Sequence, residues 1–393
     1  MYFFNDELLK FTFPNTNHMK VQQLSLSQDN WSENVALINI NVDLFLLFVS
    51  PQFTLTEKVL TYLRKRYPKS IIAGCSTAGE ISDVTVKDNS ISLTAIQFQK
   101  TTVKKVSAKI DNMDLSYDAG KDLGSQFDSK DLKHIIILSD GLNVNGADLV
   151  SGLKSKLPQI SITGGLAADG SDFNKTFVID NGEIRDKTII GLGLYGEDLK
   201  VGFSSRGGWD SFGIERLVTK SNKNVLYELD GLPALELYKS FLGDEAQNLP
   251  SSGLLFPLNM RNSDSETPLV RTILAINEEE QSLTFAGNIP VNSYVRLMKA
   301  NFDRLIGGAE DSAICSNKHN KESCELAILI SCVGRRLVLK QLVEEEVEVV
   351  RGVLGDKPKI SGFYSYGEIA PFSEFLPCEL HNQTMAITTL SEC

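Results

Sequence analysis

Two stretches of this chain carry nearly the same arrangement of glycines, hydroxyl groups and a glutamate. Residues 74–80 read Gly-Cys-Ser-Thr-Ala-Gly-Glu, and residues 362–368 read Gly-Phe-Tyr-Ser-Tyr-Gly-Glu. A weaker third copy, Gly-Gly-Leu-Ala-Ala-Asp-Gly, occupies residues 164–170, and we expect Gly164 to be equivalent to Gly74. Each copy follows an apolar run that predicts a strand. Because a glycine-containing turn at the end of a strand exposes backbone N–H groups, such turns are where α/β proteins place ligands.

The side chains of the two clear copies are candidate contacts for a small ligand. If the copies lie around a pseudo-symmetry axis, we expect the two glutamates to face a common cavity. The alternative is a tight strand connection in which each glutamate caps a neighbouring turn. No Gly-Lys-Ser or Gly-Lys-Thr follows, so the turns are not phosphate-binding loops. The candidate contacts are Gly74, Cys75, Ser76, Thr77, Glu80, Tyr364, Tyr366 and Glu368.

Cys75 is the candidate nucleophile. Its thiol lies at the end of a predicted strand, and His134 or His381 could act as its base. The surrounding residues lack the Gly-x-Ser-x-Gly pattern of a nucleophile elbow. The other interpretation is a small buried thiol, and we expect that the protein is not an enzyme.

Polar residues of the C-terminal part are further candidates. Arg335 and Arg336 follow a predicted strand, where a guanidinium could bind a ligand carboxylate; the alternative is a surface pair at a helix start. Of the two, Arg335 is the candidate ligand contact. His381 and Asn382 precede the last predicted strand. His381 could ligate haem iron, hydrogen-bond an acidic ligand, or pin the C-terminal segment.

A metal site is a weaker candidate. Cys315, His319 and Cys324 could supply half of a zinc site, with Cys378 and His381 as the other half. Their spacing is not that of a standard zinc finger or knuckle. The residues around His319 are polar and are also typical of a solvated loop.

The composition of the 393 residues limits the partners. A net charge of −11 offers no basic surface to nucleic acid. The longest apolar run, residues 44–49, is too short to cross a bilayer, and the N-terminus lacks the basic start of a signal peptide. Six cysteines in a chain of this length do not form a disulfide scaffold. We therefore expect a cytoplasmic protein without a membrane or nucleic-acid partner.

The elements that must hold the turns follow a repeated plan of strand, helix and strand. The first unit begins with the apolar run 44–49, and a capping box of Thr54 and Glu57 predicts the start of its helix. The second begins at residue 134 and the third at residue 326. The apolar runs that follow are assigned as 90–98 and 102–110 to the first unit, and 188–195 and 199–205 to the second.

Several short stretches of the sequence resemble those of the FIST family, and the resemblance covers roughly residues 15–390. In the N-terminal part it rests on residues 74–80. In the C-terminal part it rests on Phe-Pro-Leu at 256–258, Cys-Val-Gly-Arg-Arg at 332–336, residues 362–369, and Leu-His-Asn-Gln-Thr at 380–384. The resemblance implies a sensory module for a small ligand, with no agreed catalytic residues. Some stand-alone members are haem-binding nitric-oxide sensors that act on a histidine kinase or a cyclic-dinucleotide enzyme.

The sequence thus predicts a mixed α/β fold with two pseudo-repeated halves and additional antiparallel strands. We expect an N-terminal FIST domain over residues 15–243 and a C-terminal one over 254–390, separated at residues 244–253. The predicted function is ligand sensing with control of a separate signalling partner; the ligand is amino-acid-like, or haem with nitric oxide. A haem-based sensor, with His381 as the iron ligand, and a cysteine-dependent enzyme are the alternatives.

Overall fold

The continuous apolar runs of the sequence form the central strands of the molecule. A computed structural model describes residues 18–261, 268–318, 324–373 and 376–393. Residues 44–49 and 326–332 are buried along their whole length. A strand buried on both faces reads as an unbroken apolar run rather than an alternating one, which explains why these strands were predictable.

The helices and strands below are numbered in chain order. The helices are α1 Trp31–Ala36, α2 Thr56–Arg66, α3 Ser116–Ser125, α4 Gly146–Lys156, α5 Ala234–Leu242, α6 Phe302–Ser316, α7 Val333–Leu339 and α8 Glu345–Leu354. The strands up to residue 206 are β1 Lys20–Leu26, β2 Leu44–Val49, β3 Ile71–Ser76, β4 Glu80–Ser82, β5 Thr85–Lys87, β6 Ile91–Gln97, β7 Thr102–Lys109, β8 Leu132–Ser139, β9 Ser161–Leu166, β10 Val178–Asp180, β11 Glu183–Arg185, β12 Thr188–Tyr195 and β13 Leu199–Arg206. The later strands are β14 Asp210–Ser211, β15 Arg216–Asn222, β16 Val225–Leu229, β17 Leu232–Pro233, β18 Leu258–Arg261, β19 Leu269–Arg271, β20 Ile273–Asn277, β21 Ser282–Phe285, β22 Tyr294–Lys299, β23 Leu326–Cys332, β24 Lys359–Ser365, β25 Gly367–Pro371, β26 Cys378–His381 and β27 Met385–Glu392.

Three six-stranded sheets share one topology. Their strand orders are β1-β6-β2-β3-β10-β11, β7-β12-β8-β9-β25-β26 and β13-β27-β23-β24-β4-β5. In each sheet the third and fourth strands are parallel and the other neighbours are antiparallel. The mixed α/β class is confirmed. The repeat is threefold in the described residues, so the molecule is built from three related units rather than two matched halves.

Each sheet is completed by a hairpin from another unit. We define unit 1 as residues 20–97, unit 2 as 102–195, and unit 3 as 199–206 together with 302–392. Hairpin β4–β5 of unit 1 pairs with β24 of unit 3, hairpin β10–β11 of unit 2 pairs with β3 of unit 1, and hairpin β25–β26 of unit 3 pairs with β9 of unit 2. The exchange is cyclic, and each unit gives one hairpin and receives one.

Two assignments made from the sequence were wrong for this reason. The run 102–110 was assigned to the first unit, but β7 is the edge strand of the second sheet, paired with β12. The run 199–205 was assigned to the second unit, but β13 pairs with β27 in the third sheet. Each unit begins with the strand that directly follows the last strand of the previous unit, so proximity in sequence was misleading.

A fourth sheet is inserted into unit 3. It contains β14–β22 and packs against α5 around its own apolar core. The edge strands β19 and β20 are separated only by Thr272, so the sheet closes through the segment 269–277 into a small barrel. The segment 244–253 forms short 3₁₀ turns next to this barrel.

Candidate functional site

The three glycine turns meet around one axis. A closed ring of three backbone hydrogen bonds joins them, and each bond runs from one unit to another. Each donor N–H lies four residues after the first glycine of its turn, and each acceptor carbonyl lies two residues after the first glycine of the next. The ring is therefore a pseudo-threefold arrangement. Its bonds are Ala78 N–H to Tyr364 O at 2.8 Å, Ala168 N–H to Ser76 O at 3.0 Å, and Tyr366 N–H to Leu166 O at 3.3 Å.

The first glycine of each turn is required by the parallel strand beside it. A Cβ atom on Gly74 would lie 2.0 Å from the carbonyl oxygen of Leu47. The same clash occurs between Gly164 and Ile137 at 2.0 Å, and between Gly362 and Leu329 at 1.9 Å. The predicted equivalence of Gly74 and Gly164 is confirmed by this shared environment, and Gly362 shares it too.

The two glutamates tie the root of each exchanged hairpin. Glu80 accepts hydrogen bonds from the Thr77 hydroxyl on one oxygen, and from the Ser90 N–H (3.2 Å) and hydroxyl (2.8 Å) on the other. Both side chains that bind it come from its own unit. The carboxyl group thus links the turn that leaves β3 to the start of β6, on either side of the exchanged hairpin.

Glu368 repeats this arrangement in unit 3. It accepts hydrogen bonds from the Ser365 hydroxyl at 2.8 Å, and from the Thr384 N–H at 3.1 Å and hydroxyl at 2.9 Å. In unit 2 the strand register puts Val178 at the corresponding place. The copy in unit 2, residues 164–170, therefore lacks the glutamate, which explains why it matches the other two copies less well.

Both carboxyl groups are buried, and this changes their pKa values. Desolvation raises the pKa of Glu80 from 4.5 to about 7, although the hydrogen bonds from Thr77 and Ser90 oppose the shift. Desolvation raises the pKa of Glu368 to about 8 against the bonds from Ser365 and Thr384. In each group one oxygen faces a hydroxyl that can also accept a hydrogen bond, so the protonated form can be accommodated.

A polar cleft opens beside the first turn. It has a volume of about 370 Å³ and lies at the carboxyl ends of the parallel strands β2 and β3, where ligands bind in open α/β sheets. All three units contribute to its walls. The described lining includes neither glutamate, although Thr77, which binds Glu80, is part of it. The lining residues are Ser50, Gln52, Thr77, Ala78, Gly79, Asp88, Asn89, Asp169, Gly170 and Arg336.

A second cavity of about 330 Å³ adjoins the cleft through Gln52 and Asp169. One wall is the start of α2, and the other is the loop 169–177, which replaces the short connection of the other two units. Asp169 shapes this loop by accepting hydrogen bonds from the N–H groups of Asn174 at 2.8 Å and Lys175 at 2.6 Å. The hydroxyl of Tyr366 also donates to Asp169, so the turn of unit 3, residues 362–368, holds the loop 169–177 in place.

The inserted barrel holds a different kind of cavity. It is lined by apolar side chains such as Leu258, Leu283 and Val295, and has a volume of only about 50 Å³. That space admits only a few atoms. The polar cleft is therefore the better candidate for a ligand site.

The other candidates of the first turn, Cys75 and Ser76, are buried and contact the fold. Cys75 is completely buried, and burial raises its pKa well above the usual value. The ring nitrogens of His134 bind the hydroxyls of Ser161 (2.7 Å) and Thr163 (2.8 Å), so this histidine is not available as a base for the thiol. The Ser76 hydroxyl accepts the N–H of Phe177 at 3.1 Å and thereby joins β3 to the loop 169–177.

Arg335 and Tyr364 form a buried network instead of lining the cleft. The guanidinium of Arg335 binds Glu346 with N–O distances of 2.7 and 3.0 Å, and both side chains are completely buried. The Tyr364 hydroxyl donates to the same carboxylate at 2.6 Å. The carboxylate partner of Arg335 is thus supplied by α8 of its own unit.

His381 and Asn382 lie between the third turn and the inserted barrel. Nε2 of His381 donates to the Ala370 carbonyl at 2.8 Å, and burial lowers the pKa of His381 to about 4. Asn382 donates to the Tyr366 carbonyl at 3.3 Å and accepts the Thr272 N–H at 3.4 Å. These two residues connect elements of the fold.

Haem does not fit the described histidines. His134 is buried with both ring nitrogens bonded to hydroxyls, His381 is buried with Nε2 bonded to a carbonyl, and His18, half exposed, lies beside Glu325. Cys378 is buried and directs its thiol to the Ile162 carbonyl. His319 lies outside the described residues. Among the residues that are described, no group of three or more His, Cys, Asp or Glu side chains could hold a metal ion.

Sequence reasoning missed the loop 169–177. It named Arg336 together with Arg335 as a possible partner of a ligand carboxylate, but committed to Arg335 alone. No local pattern shows that α7 aims Arg336, and not Arg335, at a turn some 250 residues away. Asp169 could have been noticed, because it replaces the second glycine of the repeated phrase. Among the described helices, none is both long and apolar enough to cross a membrane.

The fold and the cleft define a class of protein: an α/β chain of three hairpin-exchanging units that surround a polar cleft of ligand size. The family follows from direct comparison. The FIST N domain matches residues 43–232 and the FIST C domain matches residues 234–371. The chain belongs to the FIST family. FIST domains are generally sensory domains that bind small ligands in signalling proteins.

The individual relatives are distant. An uncharacterized protein of Methanocaldococcus jannaschii is 25% identical in an alignment of length 313 that covers 74% of this chain and 59% of that protein. The chain thus spans about three-fifths of the length of this curated relative. A solved cyanuric acid hydrolase from A. caulinodans aligns over 94% of this chain and 98% of its own, with 8% identity and a TM-score of 0.36, which does not establish a common fold.

Proposed function

We propose that this protein senses a small polar molecule, which binds in the cleft beside the first turn, and that it controls a separate signalling partner. The single observation that carries the proposal is the convergence of all three units on this cleft. Unit 1 supplies the turn Thr77–Gly79, unit 2 supplies Asp169, and unit 3 supplies Arg336. A ligand that touches all three units can change how they pack, which is the requirement for a sensor.

The chemistry of the walls favours a small and polar ligand. Hydroxyl, amide, carboxylate and guanidinium groups surround a volume of about 370 Å³, which is at the lower end of the range of small-molecule sites. An amino-acid-like molecule meets these conditions because it carries charges of both signs. No described histidine favours haem, and we propose ligand binding without haem or nitric oxide.

We also propose that the protein acts by binding and not by catalysis. Cys75, the candidate nucleophile, lies under the turn rather than at the cleft surface. An exposed thiolate with a base beside it is what cysteine-dependent enzymes need. The buried thiol supports the binding role.

The experiment fills the cleft. Gln52 is exposed and lines both adjoining cavities, so Gln52→Trp should block the site without disturbing the core. Amino acids, small organic acids and nucleosides are screened by thermal shift, and each molecule that raises the melting temperature is titrated calorimetrically. We expect Gln52→Trp to weaken binding at least about tenfold. The control is Gln247→Trp, an exposed glutamine outside the cleft. Unchanged binding in Gln52→Trp would contradict the assignment of the cleft.

A further inference from the structure

Arg336 is the fixed cation of the cleft. Its side chain is 22% exposed, and Nη1 donates to the Ala78 carbonyl at 2.5 Å. The guanidinium also lies 5.7 Å from the ring centroid of Tyr364, within the range of a cation–π contact. Two contacts thus hold the arginine apart from any acidic side chain.

Gly79 makes this position possible. A Cβ atom at Gly79 would lie 2.8 Å from the Arg336 Cζ atom, and the φ of +134° is one that residues with side chains rarely adopt. The second glycine of the first turn therefore gives the guanidinium of unit 3 access to the backbone of unit 1. In the turn of unit 3 the corresponding Gly367 instead faces Leu380. Only the turn of unit 1 therefore has a guanidinium packed against its second glycine.

Asp88 is the loosely held partner. Its carboxylate binds the guanidinium through two parallel bonds of 2.8 and 2.6 Å, yet its side chain is 73% exposed. An exposed ion pair of this kind has a small net stability, because water and salt compete with it. A carboxylate from solution could therefore take its place at little cost, whereas the guanidinium would stay where it is.

We propose that the ligand is a small carboxylate and that its carboxylate group displaces Asp88 from Arg336. The inference rests on the proposed cleft and gives its ligand a chemical class. The planar guanidinium offers the two-bond geometry that a carboxylate requires. The pair Arg336–Asp88 is thus a latch: it is formed when the cleft is empty and is released when a carboxylate binds.

The latch is connected to the hairpin that unit 1 gives to unit 3. Asp88 lies two residues before Ser90, whose N–H and hydroxyl bind Glu80 at the root of that hairpin. Release of Asp88 removes one of the contacts that hold the segment between β5 and β6, where Asn89 and Ser90 are bound to Gln28 and Glu80. Ligand binding can therefore alter the contact between units 1 and 3.

The experiment compares small carboxylates with their neutral amides at low ionic strength. Acetate, propanoate and succinate are each titrated against the corresponding amide, with chemical shifts and thermal shift as readouts. We expect the carboxylates to bind and the amides not to bind. Asp88→Asn should tighten carboxylate binding about threefold or more, because the internal competitor is removed. Arg336→Lys should weaken it about tenfold, because the two-bond geometry is lost.

The control is the matched pair Arg351–Asp83, which also joins unit 3 to unit 1 and has similar exposure, 17% and 63%. Asp83→Asn and Arg351→Lys should leave carboxylate affinity unchanged. Equal affinity of Asp88→Asn and the parent, or carboxylates that bind neither better than their amides, would overturn the latch. If other molecules still bind and Gln52→Trp removes that binding, the cleft stands and only the latch fails. If Gln52→Trp leaves all binding intact, the cleft itself is wrong.

Discussion

At the scale of single residues, Glu80 and Glu368 show that a repeated motif residue can serve the fold. Both were candidates for ligand contact, and both are buried among hydroxyl and N–H donors of their own unit. The alternative made from the sequence, a glutamate that caps a neighbouring turn, describes these contacts more closely. Their raised pKa values are therefore expected to affect the stability of the folded protein and not ligand binding.

The two carboxyl groups predict a fall in stability as the pH rises. Above pH 6.5 the unfolded chain has already released these protons, whereas the folded protein releases them only as the pH passes about 7 for Glu80 and about 8 for Glu368. Raising the pH from 6.5 to 8 therefore lowers the free energy of unfolding, by roughly 2 kcal/mol. Below pH 6.5 the lowered pKa values of His134 and His381 act in the opposite direction.

The measurement is urea unfolding of the parent, Glu80→Gln and Glu368→Gln at pH 6.5, 7.2 and 8. A glutamine amide imitates the neutral carboxyl group, so each variant should show a smaller pH slope and gain stability relative to the parent at pH 8. Glu279→Gln, at an exposed position, controls for the loss of one carboxylate. Identical slopes in parent and variants would show that the carboxyl groups are ionised in the folded protein.

Cys75 gives a second prediction at this scale. Because the thiol is completely buried and its pKa is raised, a thiol reagent should not label Cys75 in the folded protein within the time needed to label Cys393, which is exposed. Cys75→Ala should leave binding in the cleft within about tenfold of the parent. Mass spectrometry after limited labelling checks the first point. Rapid labelling of Cys75 in the folded protein would support the enzyme alternative.

At the scale of elements, helix α2 shows how neighbours override a local signal. Thr54 and Glu57 predicted a capping box, but the helix begins at Thr56 and has no side-chain cap. The Thr54 hydroxyl donates to Gln28 instead, at 3.2 Å. A long-range partner thus took the hydroxyl that the local pattern had assigned to the helix end, and the start of α2 became a wall of the second cavity.

The glycines at the strand pairs give the prediction for this scale. Gly74→Ala and Gly362→Ala each place a methyl group about 2 Å from a carbonyl oxygen of the parallel neighbour, so the strands must separate. We expect a loss of about 3 kcal/mol or more in the free energy of unfolding, measured with urea. Gly352→Ala is the control, because nothing lies within 4 Å of its added methyl group in α8. That variant should be neutral or more stable by up to about 1 kcal/mol. Similar stability of all three variants would contradict the strand register.

At the scale of the whole molecule, the cyclic exchange of hairpins makes the units interdependent. In hairpin β4–β5, Ile81 of β4 pairs with Gly362 of β24. The other two hairpins pair in the same way with the first strand of the turn in the other two sheets. Removal of one unit would leave one sheet without its edge and one hairpin without a sheet. Unlike a chain of independent domains, this arrangement should unfold as one body.

The two tryptophans allow a direct test of this cooperativity. Trp31 lies on α1 in unit 1, whereas Trp209 lies beside β13 and the inserted barrel. Trp31→Phe and Trp209→Phe leave one fluorescence probe each, and both probes should report the same urea midpoint after correction for the stability of each variant by circular dichroism. Two separated transitions in one variant would indicate units that unfold independently.

The sequence by itself determined the central strands, the repeated turns and the family, because unbroken apolar runs and closely spaced glycines are local signals. It also predicted that Gly74 and Gly164 are equivalent. Only the tertiary structure decided which unit receives each hairpin, and that Arg336 lies over Gly79. The contact between Arg336 and Ala78 joins residues 258 positions apart. No local pattern encodes such a contact, because it results from how three similar units pack around one axis.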